Sequence, residues 1–93
     1  GGPLQGASLG NCVFSNPSVT ICTTAYSDAA DAQTAWATEC AKSGTYQACP
    51  FNDPVVTCRI DKENITAIMT MKGDPSHRDV MARACQQQGG QVI

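Results

Sequence analysis

Ninety-three residues, 42% hydrophobic but only 5% aromatic, describe one small domain with a thin core, since twelve of the hydrophobic residues are Ala and six are Cys. A net charge of −2 with scattered Lys and Arg excludes the basic stripe that nucleic acid needs and the polybasic patch that anionic lipid needs. No apolar run approaches the roughly 20 residues of a membrane helix.

The chain opens on a Gly-rich leader, GGPLQGASLG, in which Leu4 and Leu9 are the only large apolar residues. It has no periodicity and is expected to be flexible unless a partner binds it, so residues 1–11 stand apart from a single disulfide-rich domain at 12–93. A short extended piece at 12–14, a turn at Ser15-Asn16-Pro17-Ser18 and the β-branched run Val19–Tyr26 then predict a β-hairpin. Ser27 or Asp28 suits the cap of an Ala-rich helix over 29–43, with Asp31 in its first turn and Gly44 as its stop. A strand at 45–49 and a stiff loop from Pro50 to Pro54 follow.

The same order then recurs: an extended piece at 55–60, a turn at 61–64, a strand at 65–71, and a helix over 75–88 that Asp74 caps and Pro75 starts. Gly89 and Gly90 end that helix, and residues 91–93 form a last strand. An offset of 45 pairs Trp36 with Met81, Cys40 with Cys85 and Gly44 with Gly89, and a one-residue gap in the hairpin turn adds Cys12 with Cys58. The pattern predicts an internally duplicated ββαβ unit, 12–49 and 58–93. The fold class is therefore α+β, a two-layer sandwich with both helices on one face of an antiparallel sheet.

Six cysteines, at 12, 22, 40, 49, 58 and 85, include no C-x-x-C pair, which argues against a zinc or thioredoxin-type site. An even count in a short chain predicts disulfides, hence an oxidising compartment, secreted or at the cell surface, with Gly1 as a processed terminus. The repeat suggests Cys12–Cys40, Cys58–Cys85 and Cys22–Cys49, the last pair being absent from the second copy. Each would close about 27 residues and contribute roughly 3–4 kcal/mol on the loop-entropy estimate. The competing set joins Cys49 to Cys58 across the proline loop and Cys22 to Cys40.

The stretches Cys22 to Tyr26, Cys40 to Gly44, Ala48-Cys49-Pro50, Cys58 and Cys85 to Gly90 resemble the cysteine framework of small secreted proteins and lipoproteins of bacteria. The resemblance implies a fold and a compartment, and no activity. The chain departs from the lipoproteins in having no acylatable Cys at its start.

Catalysis finds little support. The only His, His77, lies in the run Gly73-Asp74-Pro75-Ser76-His77-Arg78-Asp79, where helix capping accounts for Asp74, Pro75 and Ser76, whereas a triad converges from separate elements. Asp74, His77 and Asp79 would make only an exposed metal site, so no metal, cofactor or enzymatic activity is expected. Trp36 and Met81 each stand one turn before a helical cysteine and read as core; Met69 and Met71 alternate with Thr70 and fit the inner face of a strand. Asn64-Ile65-Thr66 is a glycosylation sequon beside a turn. Two features exceed what a scaffold needs: the leader, and Phe51 held between Pro50 and Pro54. The expected function is a non-catalytic extracellular structural subunit that self-associates into a filament or surface assembly. Leu4, Leu9 and the sheet edges would supply the contacts, with copies of itself as partner. The alternative is a monomeric binding module or inhibitor that presents Phe51 to another extracellular protein, and a small secreted hydrolase ranks last.

Overall fold

A computed structural model describes residues 2–93. The elements run β1 (Ser8–Ser15), β2 (Val19–Tyr26), α1 (Ala32–Ser43), β3 (Thr45–Tyr46), β4 (Val56–Lys62), β5 (Ile65–Gly73), a 3₁₀ turn (Pro75–His77), α2 (Arg78–Gln87) and β6 (Gln91–Val92). The class is α+β: one six-stranded antiparallel sheet in the order β3-β1-β2-β5-β4-β6, with two helices and two disulfides.

Local chemistry explains the turns. Between β1 and β2 the Asn16 carboxamide oxygen accepts from the backbone N–H groups of Ser18 and Val19, at 2.8 and 2.9 Å, an Asx turn that closes the hairpin. The second hairpin turns on Glu63 and Asn64 alone, tighter than the four-residue turn expected, so β4 reaches Lys62. α1 begins at Ala32, three residues late: Ser27 Oγ accepts from the Ala29 N–H at 3.1 Å only as an isolated turn, and both expected caps also hold distant groups. Ser27 Oγ donates to the carbonyl of Asn64 at 2.5 Å, and Asp28 Oδ1 accepts from the Ala7 N–H at 3.2 Å. Asp31 then occupies the N-cap position in the left-handed region, φ 63°, without a side-chain cap bond. The expected Asp74 cap forms, Asp74 Oδ1 accepting from the Ser76 N–H at 2.9 Å with Pro75 in the first turn, but it closes the 3₁₀ turn that leads into α2, so the α-helix itself begins at Arg78 rather than at Pro75.

Register fixes which face the helices occupy. Cys12 lies opposite Thr23, Thr23 opposite Met69, and Met69 opposite Cys58, and residues directly opposite in antiparallel pairs project from the same face. Cys12 is bonded to Cys40 of α1 and Cys58 to Cys85 of α2, so both helices are tied to that face. The main core lies beneath α2, where Val56, Cys58, Ile60 and Met71 meet Met81 and Cys85. Two glycines allow the chain to pass these bridges. A Cβ on Gly44 would stand 3.0 Å from Cys12 Sγ and 2.6 Å from the Val13 carbonyl oxygen, and one on Gly90 would stand 2.5 Å from Cys58 Sγ. The counterpart of Gly44 in this respect is Gly90 rather than Gly89.

The opposite face has no helix, yet Val13 and Cys22, which project from it, are buried. Two irregular segments run across it. The connector after β3 starts at the outer edge of β1, where the Gln47 N–H bonds the Asn11 carbonyl, and ends at β5, where the Val55 N–H bonds the Met71 carbonyl. This path is why the strand expected over 45–49 stops at Tyr46. The leader is the second segment. Arg59 donates from Nη1 to the Gly2 carbonyl at 2.6 Å and from Nη2 to the Pro3 carbonyl at 2.9 Å, while the Ala7 carbonyl accepts from the Ser27 N–H. Residues 2–7 thus lie on their own domain, and β1 takes over at Ser8, so the leader ends earlier than the expected boundary at residue 11. Leu9 is 6% exposed, a core residue of its own chain instead of a free anchor.

Candidate functional site

The residues singled out for catalysis do not converge. Asp74 is occupied as a cap, and the Ser76 backbone N–H it accepts from is the first cause that holds its carboxyl below the ordinary value of 3.8. Ser76 and His77 stay in the 3₁₀ turn and Asp79 in the first turn of α2. Among the described residues, no group of three His, Cys, Asp or Glu side chains is placed to hold a metal ion, and no helix is long and apolar enough to cross a membrane.

What the fold does assemble is an apolar cleft on the helix face. α2 leans toward the outer strands and leaves the central pair partly open, so Val19 and Ile21 of β2 and Met71 of β5 form a floor. Val80, Met81 and Ala84, on successive turns of α2, form the wall. The cleft encloses about 350 Å³, and Ser18 and His77 are its only polar lining residues. Val80 is 61% exposed. A smaller cleft of about 260 Å³ lies beside α1, between Phe14 and Thr23 of the first hairpin and Trp36 and Glu39 of the helix. Phe14 lies directly opposite Ile21, so the two clefts adjoin across the hairpin. Trp36, expected in the core, is only half-buried, with Nε1 donating to the Gly10 carbonyl at 3.0 Å.

The expected contact residues fall elsewhere. Leu4 is 43% exposed, in the leader segment over the face away from the helices, whereas Leu9 is enclosed in β1. Phe51 is half-buried in the connector. That loop is fixed by Lys72, whose Nζ donates to Asp53 Oδ2 at 2.7 Å and to the Asp53 carbonyl at 3.1 Å. The ammonium hydrogen bond is the largest cause that lowers the Asp53 carboxyl pKa. The third bridge expected between Cys22 and Cys49 is not formed: both are free thiols, set against each other on the same face because the connector brings Cys49 across to Cys22.

The cleft was not legible in the sequence, because Val19, Ile21 and Val80 read as ordinary strand and helix apolar positions. The one available signal was Val80-Met81 beside Ala84 on a helix with little other apolar surface. No family model matches the chain, and no curated protein or solved structure matches it significantly.

Proposed function

We propose that the protein is a non-catalytic, extracellular structural subunit that associates with copies of itself head to tail. Leu4 of one copy enters the apolar cleft beside α2 of the next. The observation that carries this reading is the placement of an apolar cleft and an exposed leucine on opposite faces of one sheet. A contact between two different patches of the same chain is heterologous, and one that joins front to back repeats without closing, which builds a filament. Leu4 is only 43% exposed to begin with, so burying the remainder contributes about 1 kcal/mol, less than association costs, and a second contact is needed. The sheet edges offer it. β3 and β6 each cover only two residues of their neighbours, which leaves the ends of β1 and β4 open for strand addition. The two disulfides support an oxidising compartment.

The same reading takes the fold as a duplicated ββαβ unit. In both halves the hairpin pairs with a shared register, Cys12 opposite Thr23 and Cys58 opposite Met69, which sets an offset of 46 between Cys12 and Cys58. The helical cysteines, Cys40 and Cys85, stand 45 apart, and Tyr46 and Val92, opposite the two strand cysteines, stand 46 apart. On this alignment the single-residue gap falls between the second strand and the helix, and a return residue follows at Gly90. The leader then corresponds to the connector, each crossing the same face.

Sedimentation velocity and negative-stain microscopy on the purified chain test the assembly. Leu4→Ala and Val80→Glu, both at exposed positions, are expected to disperse it while Gln86→Glu, on α2 outside the cleft lining, is not. A wild-type chain that stays monomeric at high concentration, or variants that assemble as it does, would sink the reading. The Phe51 binding module then takes its place, supported by the Lys72–Asp53 bonds that hold its loop rigid before any partner arrives.

A further inference from the structure

Cys22 is 3% exposed although it projects from the face that no helix covers. Its cover is the connector. Residue 47 is bonded at the outer edge of β1, and Asp53 is bonded to Lys72 of β5, a residue on the same face as Cys22 because Cys22 lies opposite Thr70 and Lys72 is two further on. The residues between them must cross β1 and β2 above Cys22, and the crossing carries Cys49 to it, within side-chain hydrogen-bonding reach. Both other bridges join a strand to a helix on the far face, so nothing yet ties this face covalently.

We infer that Cys22 and Cys49 form a dithiol site that closes into a third disulfide by exchange with an external disulfide, converting the connector from a packed loop into a covalent strap. The inference does not rest on the self-association reading. The order of steps follows from access. Cys49 is half-buried and reaches solvent, so as thiolate it attacks the external disulfide, forms a mixed disulfide and expels one thiolate of the oxidant. Cys22 then gives up its proton and attacks Cys49 Sγ, expelling the second thiolate. Two thiols are oxidised, one external disulfide is reduced to two thiols, and the two protons released protonate the leaving groups. Burial first, and the adjacent Cys49 thiol second, together push the Cys22 thiol up to about 12, which makes Cys22 the resolving group and its attack the slow step. A buried thiol with no second cysteine beside it would be inert. The connector makes the pair.

The test uses the full chain with its two existing bridges intact and oxidised glutathione as the probe. Intact mass should fall by two hydrogens with no glutathione retained, and a non-reducing digest should yield one peptide pair linked through Cys22 and Cys49. Cys22→Ser is expected to accumulate a glutathione adduct on Cys49, and Cys49→Ser to leave Cys22 unmodified until the protein is unfolded. The closed form should also lose connector mobility, read as slower exchange of the Gln47 and Val55 amides. A wild-type adduct that persists on Cys49, a link from Cys49 to any other cysteine, or two thiols that stay reduced when folded but react when unfolded would overturn the inference. The wild-type digest decides it even if a variant fails to fold.

Discussion

The two disulfides close nearly equal loops, with sequence separations of 28 and 27, so each contributes the same chain-entropy term, about 3.6 kcal/mol at 25 °C. Their surroundings differ. Cys58 and Cys85 are both 0% exposed and sit among Val56, Ile60, Met71 and Met81, whereas Cys12 is half-buried and forms part of the wall of the smaller cleft. Replacing Cys58 and Cys85 by Ala therefore removes two sulfur atoms from a sealed core and adds a cavity cost of about 1–2 kcal/mol. The same change at Cys12 and Cys40 opens a space that solvent already reaches on one side, so its added cost is smaller. The expected losses are about 5 kcal/mol for the first pair and close to the entropic 3.6 kcal/mol for the second. Against a total of roughly 5–15 kcal/mol for a small domain, the first variant stands near the limit of folding. Urea titrations followed by far-UV circular dichroism, in a Cys22→Ala/Cys49→Ala background that prevents thiol exchange, measure both. Equal losses, or a larger loss for Cys12 and Cys40, would refute the claim that the core is concentrated under α2.

Three further outcomes follow from named contacts. Arg59→Ala removes the two bonds to the Gly2 and Pro3 carbonyls, so residues 2–7 should become protease-sensitive at a cost of about 1–3 kcal/mol, with the disulfide core intact by peptide mapping. Asp53, Asp61 and Asp74 have pKa values lowered from 3.8, first by Lys72, Arg59 and the Ser76 backbone N–H respectively. A lowered carboxyl contributes stability that is fully present above the unfolded value and is lost as pH falls through the folded one. The urea midpoint should therefore hold steady above about pH 5 and decline below pH 3.8, less steeply in Asp74→Asn; a midpoint flat down to pH 2 would contradict this. Trp36→Phe removes the Nε1 bond to the Gly10 carbonyl and should cost about 1 kcal/mol by the same titration, without altering either disulfide.

How much of this was readable follows from how local each cause is. The hairpins were legible because β-branched runs and an Asn turn act over a few residues, and the turn that leads into α2 because Asp74 and Pro75 mark it within the chain itself. The start of α1 was not, because Ser27 and Asp28 bond to Asn64 and Ala7, groups 37 and 21 residues away. The position of the leader was not legible for a similar reason. Its Gly-rich composition carries no period, and what holds it is Arg59, 56 residues distant from Pro3. The functional residues divide the same way: Phe51 and Leu4 were named for their chemistry, yet the cleft that could receive a leucine was invisible.

The sequence by itself determined the class of fold, the Asn16 turn and the Asp74 cap, and the presence of disulfides, because periodicity, β-branching and Cys spacing are properties of the chain before it folds. Tertiary structure alone decided that Leu9 is core while Leu4 is exposed, that the connector crosses the face without helices, and that Val19, Ile21 and Val80 face a shared cleft. Each of these depends on which strands become neighbours and in what register. That choice is made by long-range pairing of β2 with β5, whose two partners carry no local mark of each other.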